Sequence, residues 1–325
     1  MSEPNSDTRS ATRAERHVLV VGAIRPAQMA ELEDLYILHR LDQATDSDVL
    51  IANFGEKIEV VVTSNGVGFS RELLDRLPNL KLVSSQGVGT DGLCVEACKA
   101  RGVHVANTPD VLNDDVADMA LMLLLATVRR LLPGDRWVRG GHWVRDGMMP
   151  LNRCVRGKRL GIAGLGRIGK AIAHRAEAFG LDIAYYGRRE QPEVDYPWYD
   201  DLQALAEDVD ILVVALPGGE PTHRLVGRSV LEALGPDGYL VNIGRGSVVD
   251  EPDLVEVLSS GMLAGAGLDV FADEPNVPQA LLDMDNVVLQ PHCASGTEET
   301  RHAMAQLVVD NVAAYFSGSP LLTPV

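Results

Sequence analysis

The chain has 325 residues, 46% of them hydrophobic and 23% charged, enough to bury a large core and to divide into two domains. Its formal net charge of −17 argues against nonspecific binding to nucleic acid or to an anionic membrane surface. The four cysteines, Cys94, Cys98, Cys154 and Cys293, are too few and too scattered for a disulfide framework, which fits a reducing, cytoplasmic setting.

The chain opens with the polar stretch "MSEPNSDTRSATRAER", which lacks the apolar centre of a signal peptide. Strands are expected at "HVLVVGA" (17–23), "EVVVTS" (59–64), "LKLVSSQG" (80–87) and "VHVANT" (103–108), with a helix over 90–102 that stops at a glycine. Cys94 and Cys98 stand one turn apart in that helix, but no second Cys or His cluster completes a metal site, so no metal is expected. The segment 113–131, "NDDVADMALMLLLATVRRL", reads as a long buried helix at a domain boundary. Asn113, Asp114 and Asp115 suit its cap and the positive end of its dipole. Its apolar run is too short to span a bilayer.

After an irregular stretch with Trp137 and Trp143, six further strands are expected: "KRLGIAGLG", "DIAYYG", "VDILVVALP", "GYLVNIGRG", "LAGAGLDVF" and "NVVLQPHC". Six is the number of a complete dinucleotide-binding sheet. A final helix covers 297–318. Alternation of short apolar runs with helical patterns marks an α/β protein with parallel sheets.

"GLGRIG" places Gly164, Gly166 and Gly169 in G-x-G-x-x-G spacing between a strand and a helix. The first glycine permits the turn, the second lets the backbone approach a pyrophosphate, and the third packs helix on strand; the helix N-terminus then faces the phosphates. An NAD site needs a carboxylate at the end of the second strand. Asp182 begins that strand rather than ending it, and Glu190 lies past the turn. Gly187, Arg188 and Arg189 occupy the strand end itself. Glycine leaves room for a 2′-phosphate and guanidinium groups match its oxygens, so NADP(H) is the preferred cofactor, with NAD(H) as the alternative. The plainer alternative is two arginines that solvate a loop.

Arg245 in "NIGRG", Glu274 in "LDVFADEP" and His292 in "LQPHCASG" each follow an apolar run, and ligands of open α/β sheets bind outside the carboxyl ends of strands. Together they suit reduction of a 2-oxo acid. Arginine holds the carboxylate and polarises the carbonyl, histidine protonates the forming alkoxide, and the carboxylate orients the histidine. Singly, each also has a plain explanation as a loop or turn residue.

The set "GLGRIG", "NIGRG", "GLDVFADEP" and "PHCASGT" resembles the D-isomer-specific 2-hydroxyacid dehydrogenases from about residue 60 to nearly the C-terminus. The resemblance implies two Rossmann-like domains with the active site in the interdomain cleft. Residues 1–106 with 295–325 would bind substrate and 107–294 would bind cofactor. It makes Arg245, Glu274 and His292 catalytic. It places the substrate carboxylate on the backbone N–H groups of Val88 and Gly89 in "SSQGVGTDG" and on Arg245. The cofactor would meet Gly164, Leu165, Gly166, Arg167, Ile168, Gly187, Arg188, Arg189, Leu216, Pro217, Thr222, Ile243, Asp269 and His292. Of these, Asp269 would take the nicotinamide carboxamide and Thr222 a phosphate. The loop "GGEPTHRL" departs from the commoner family form, which weakens the Thr222 assignment. Cys293 stands where an apolar residue is usual, and is expected to be a small buried hydrophobe rather than a reactive thiol.

The arginine turn resembles the glyoxylate and hydroxypyruvate reductase branch. The family alternatives are 2-ketogluconate or aryl-pyruvate reduction, a phosphoglycerate dehydrogenase preferring NAD, and a nucleotide-sensing corepressor. The resemblance implies a homodimer, with Trp143, Met148 and Met149 expected as interface core rather than as lining of the substrate pocket.

Overall fold

Runs of Val, Leu and Ile that are buried on both faces pair side by side in parallel, and helices cover the two faces of each sheet they form. The computed structural model describes residues 16–325; residues 1–15, read above as carrying no signal peptide, lie outside the described residues. The chain divides into two compact units, one reaching to Val111 and including Thr297–Val325, the other spanning Leu112–Gly296.

The first unit holds β1 (His17–Val20), β2 (Ile37–Arg40), β3 (Ile58–Ser64), β4 (Leu82–Gln86) and β5 (His104–Ala106) in the order β2-β1-β3-β4-β5, all parallel. Successive side chains of a strand point to opposite faces. Val18, Val20, Val60, Val62 and Leu82 accordingly pack against Met29, Leu32, Ala305 and Val308. Leu19, Val61 and Val83 pack against Leu74, Leu77 and Cys98 on the other face. The last residues close the sheet edge: Pro324 forms an antiparallel bridge with Ala106, and Val325 N donates to Val105 O at 2.9 Å.

The second unit holds β6 (Arg159–Ala163), β7 (Asp182–Tyr186), β8 (Trp198–Tyr199), β9 (Ile211–Val214), β10 (Tyr239–Asn242), β11 (Gly265–Leu268) and β12 (Val287–Leu289), ordered β12-β11-β10-β9-β6-β7-β8. Counted from β6, this is the 3-2-1-4-5-6 order of dinucleotide-binding sheets with one strand added, and the order reverses between β6 and β9. The helix Asn113–Val128 lies on the β10–β12 half. Small residues of β11 let it approach closely: a Cβ on Gly267 would stand 3.0 Å from Leu123 Cβ.

Four features differ from the sequence expectation. Strand β2 follows the helix Pro26–Leu35 with no turn signal between them, and β8 is two residues long, too short to show a period. The stretch with Trp137 and Trp143 forms two short helices, Leu131–Arg139 and His142–Asp146, whose pattern Pro133, Gly134, Gly140 and Gly141 interrupt. The long helix is not capped by Asn113, which is already helical; Leu112 holds the cap position without a side-chain bond. Asp114 and Asp118 instead accept from Arg175 on the neighbouring helix Arg167–Ala178. Among the described residues no helix is long and apolar enough to cross a membrane.

Candidate active site

Arg245, Glu274 and His292 follow β10, β11 and β12, neighbours in the sheet, and the structure brings their loops together. Gly246 makes this possible, because a Cβ there would lie 1.9 Å from the carbonyl carbon and oxygen of Phe271 in the loop that carries Glu274. No larger residue allows the Arg245 loop to lie against that backbone.

Glu274 binds in two directions. Its Oε1 accepts from Phe271 N at 3.0 Å and its Oε2 from His292 Nδ1 at 2.6 Å. An ionised carboxylate only accepts, so Nδ1 carries the proton, and Nε2 is the imidazole nitrogen left for other partners. Partial burial pushes the Glu274 carboxyl up. The bonds from His292 and Phe271 and the nearby positive charges of His292 and Arg245 outweigh this, and its pKa is held below the ordinary value. His292 is 45% exposed at its side chain, open to an incoming ligand.

Two buried residues that sequence reasoning missed or assigned elsewhere hold these loops. Asn242, 1% exposed at the end of β10, donates from Nδ2 to Arg245 O at 3.0 Å and accepts at Oδ1 from Gly244 N at 3.1 Å. Asp269, also 1% exposed, accepts at its two carboxylate oxygens from Cys293 N at 2.8 Å and Ala294 N at 3.0 Å, while its carbonyl accepts from His292 N at 2.7 Å. Burial raises the pKa of this carboxyl against the lowering effect of the two N–H donors. His292 itself sits at a φ of 50°, in the left-handed region. A lone polar residue ending an apolar strand run is the only sequence signal for Asn242.

Cys293 corrects its expectation. It is half-buried, not a fully buried hydrophobe, because its thiol turns back to donate to Gln290 Oε1 at 3.2 Å. Thr222 spends its hydroxyl proton on Pro217 O at 2.7 Å, in a 3-10 turn after the exposed Pro217 and half-buried Leu216. Ile243 is buried beside Arg245. Val88 and Gly89 belong to the first unit, in the loop that follows β4.

The glycine-rich turn fits a dinucleotide. Gly164 has a φ of 100°, and a Cβ on Gly169 would lie 2.3 Å from Gly164 O, so strand, turn and helix close tightly. A Cβ on Gly166 would meet nothing within 4 Å, which leaves open space over the start of the helix Arg167–Ala178. No side chain caps that helix, so its first N–H groups remain for an anion. Leu165 is buried and Ile168 half-buried behind the turn, with Arg167 exposed at its front.

The turn after β7 is itself braced. Trp198 Nε1 donates to Gly187 O at 3.0 Å, Gln191 N donates to Tyr185 Oη at 2.7 Å, and Gln191 Nε2 reaches Leu165 O at 2.8 Å. Gln191 thereby ties the arginine turn to the glycine turn, a link the sequence did not suggest. Arg188 and Arg189 are exposed, and among the described residues neither makes a hydrogen bond or ion pair.

A 3-2-1-4-5-6 sheet with an open glycine turn and an Arg, Glu and His assembled beyond its carboxyl edge defines a dinucleotide-dependent oxidoreductase. The family described as D-isomer specific 2-hydroxyacid dehydrogenase, NAD binding domain, matches residues 121–294. Glyoxylate/hydroxypyruvate reductase A of Arabidopsis thaliana is 50% identical over 295 residues, 91% of this chain and 94% of its own length. Hydroxyphenylpyruvate reductase of Plectranthus scutellarioides is 50% identical over the same shares. The NADPH-dependent glyoxylate/hydroxypyruvate reductase of Sinorhizobium meliloti, solved with NADP and malonate, superposes with a TM-score of 0.91 at 45% identity, covering 96% of this chain and 97% of that one. The chain belongs to the D-isomer-specific 2-hydroxyacid dehydrogenases, which are NAD(P)-dependent oxidoreductases.

The depressed Glu274 pKa gives a pH signature. In the unfolded chain this carboxyl takes up its proton near pH 4, and in the folded protein only at lower pH, so ionised Glu274 stabilises the fold above about pH 4 and that contribution is lost as pH falls through the folded value. Melting temperatures of the wild type and Glu274→Gln should therefore differ most near neutrality and converge in acid. A constant difference from neutral to strongly acidic pH would contradict this coupling.

Proposed function

We propose that the protein reduces a short 2-oxo acid, glyoxylate or hydroxypyruvate, to the D-2-hydroxy acid with NADPH. The observation that carries the reduction is the 2.6 Å His292–Glu274 bond beside Arg245, which leaves a histidine nitrogen free beyond the strand ends. When bound, the reduced nicotinamide supplies the hydride.

The chain's residues do the rest. Arg245 pairs with the substrate carboxylate and polarises the keto oxygen, with the Val88 and Gly89 N–H groups holding the carboxylate as well. His292 delivers its Nε2 proton to the oxygen that gains charge, while Glu274 holds the ring by Nδ1. In the second unit, Gly164–Ile168 would cradle the pyrophosphate, Leu216, Pro217 and Ile243 would flank the cofactor, and Asp269 would accept from the carboxamide with its remaining lone pairs. Thr222 would reach a phosphate by giving up its bond to Pro217 O.

Preference for NADPH rests on Arg188 and Arg189, exposed guanidinium groups with no hydrogen bond among the described residues, on a turn braced by Trp198 and Gln191. No carboxylate ends β7 to receive the ribose hydroxyls of NAD. Reduction of hydroxyphenylpyruvate is the second reading, favoured by a relative of that name at the same 50% identity.

A homodimer is supported by exposed apolar residues clustered between 131 and 151, among them Trp143, Val144, Met148 and Leu151. Met149 is half-buried there.

Initial rates with NADPH and NADH across glyoxylate, hydroxypyruvate, 2-ketogluconate and hydroxyphenylpyruvate test the function; no turnover of any 2-oxo acid would leave only a nucleotide-binding role. His292→Ala should lower kcat by about 100- to 10,000-fold. Replacing Arg188 and Arg189 together with Gln should weaken NADPH binding on the order of a hundredfold and NADH binding far less, whereas equal losses would reduce the pair to loop solvation. Light scattering should return twice the chain mass, falling to one chain mass in Trp143→Glu with Met148→Glu.

A further inference from the structure

Two residues after β5, Asn107 and Thr108, grip the loop that carries Val88 and Gly89. That loop leaves β4 through Gly87, whose φ is 128° and whose Cβ, if it had one, would lie 2.3 Å from Asn65 Nδ2. Thr108 is fully buried and holds Gly87 twice. Its N–H donates to Gly87 O at 2.9 Å, and its Oγ1 accepts from Gly87 N at 2.9 Å. The next carbonyl, Val88 O, accepts from Asn107 Nδ2 at 2.8 Å.

A trans peptide is planar, with its C=O and N–H pointing in opposite directions. Because Gly87 O is turned onto Thr108, the N–H of Val88 points away from Thr108. Because Val88 O is turned onto Asn107, the N–H of Gly89 points away from Asn107. Among the described residues neither N–H has a hydrogen-bond partner. Successive N–H groups held open in a turn form an anion-binding concavity.

Asn107 is itself immobilised. Thr323 Oγ1 donates to Asn107 O at 2.6 Å, and Asn107 N donates to Thr323 O at 3.3 Å. Asn311, fully buried on the helix Glu298–Ser317, donates from Nδ2 to Thr323 Oγ1 at 2.9 Å and accepts at Oδ1 from Leu322 N and Thr323 N. Hydrogen bonds thus run from a core helix through Thr323 and Asn107 to Val88.

We infer that Asn107 and Thr108 are positioning residues for substrate, aiming the Val88 and Gly89 N–H groups at the carboxylate without touching it, an assignment that rests on the 2-oxo acid reduction proposed above. Their removal therefore acts on carboxylate affinity rather than on hydride or proton transfer. Cofactor affinity stays as it is.

The test uses the full chain, NADPH and hydroxypyruvate, with Thr108→Val, Thr108→Ser and Asn107→Leu. Thr108→Val keeps shape and its own N–H but loses the acceptor for Gly87 N; Thr108→Ser keeps the hydroxyl. In Thr108→Val and Asn107→Leu the KM should rise about tenfold with kcat held within about threefold, and Thr108→Ser should restore KM to within about twofold. The inhibition constant of oxalate, a dicarboxylate with no reducible carbonyl, should rise in parallel, and NADPH binding followed by its fluorescence should not change. If Asn107→Leu fails to fold, the Thr108 pair decides. Equal shifts in Thr108→Val and Thr108→Ser, or a fall in kcat or NADPH affinity at unchanged KM, would overturn the positioning role alone. Absence of any 2-oxo acid turnover in the wild type would overturn the proposed function and this assignment with it.

Discussion

The buried carboxylate of Asp269 is the interaction on which the second unit's chemistry depends. A carboxylate withdrawn from water is costly unless its oxygens are hydrogen-bonded, and here the donors are the backbone N–H groups of Cys293 and Ala294. The turn after β12 cannot open without leaving that charge unanswered, so it stays closed, with His292 held at a left-handed φ that an imidazole would otherwise rarely adopt. Asn242 does the same for the Arg245 turn with a neutral amide, one strand over. Asp269 N donates to Asn242 O, so the two anchors are themselves linked across β10 and β11. Arg245 and His292 thus stand on loops, each locked by a polar group at the last position of a strand or just beyond it.

Much of this layout is legible in the sequence, because short apolar stretches that run out into glycine-containing turns mark β6, β9 and β10. The residues at their ends are legible too, since an arginine between two glycines, or a histidine after a proline, interrupts an apolar pattern abruptly. Hidden from the sequence are elements whose stability comes from elsewhere. Two-residue β8 exists because Tyr185 and Tyr186 pair with it, and the helices around Trp137 form across glycines and a proline that suggest a break. Hidden too are the residues that act on backbone rather than on ligand. Asn107, Thr108, Gln191 and Asn242 look like ordinary loop polar residues until their partners, 19, 21, 26 and 3 positions away, are placed beside them.

Charge is distributed with similar economy. Many arginines among the described residues are ion-paired with neighbouring carboxylates, as Arg175 is with Asp114 and Asp118 or Arg139 with Asp135. Arg188 and Arg189 make no such close pair among the described residues, though Arg189 lies near enough to Glu193 to help hold that carboxyl below its ordinary range. An exposed cation in a field of net negative charge is attractive to an anion only at short range, since the surrounding carboxylates repel it from afar and salt screens both.

Recognition through peptide N–H groups has an evolutionary side. The Val88 and Gly89 donors belong to the main chain, so no single substitution at those positions, short of proline, deletes them, and in the proposed reaction they would read only the carboxylate that all 2-oxo acids share. Whatever lies beyond the keto carbon is left to other side chains, which are free to diverge. A lineage built this way would be able to exchange one acid for another by altering a few contacts, which would be a physical reason why relatives equally similar to this chain carry the names of different substrates.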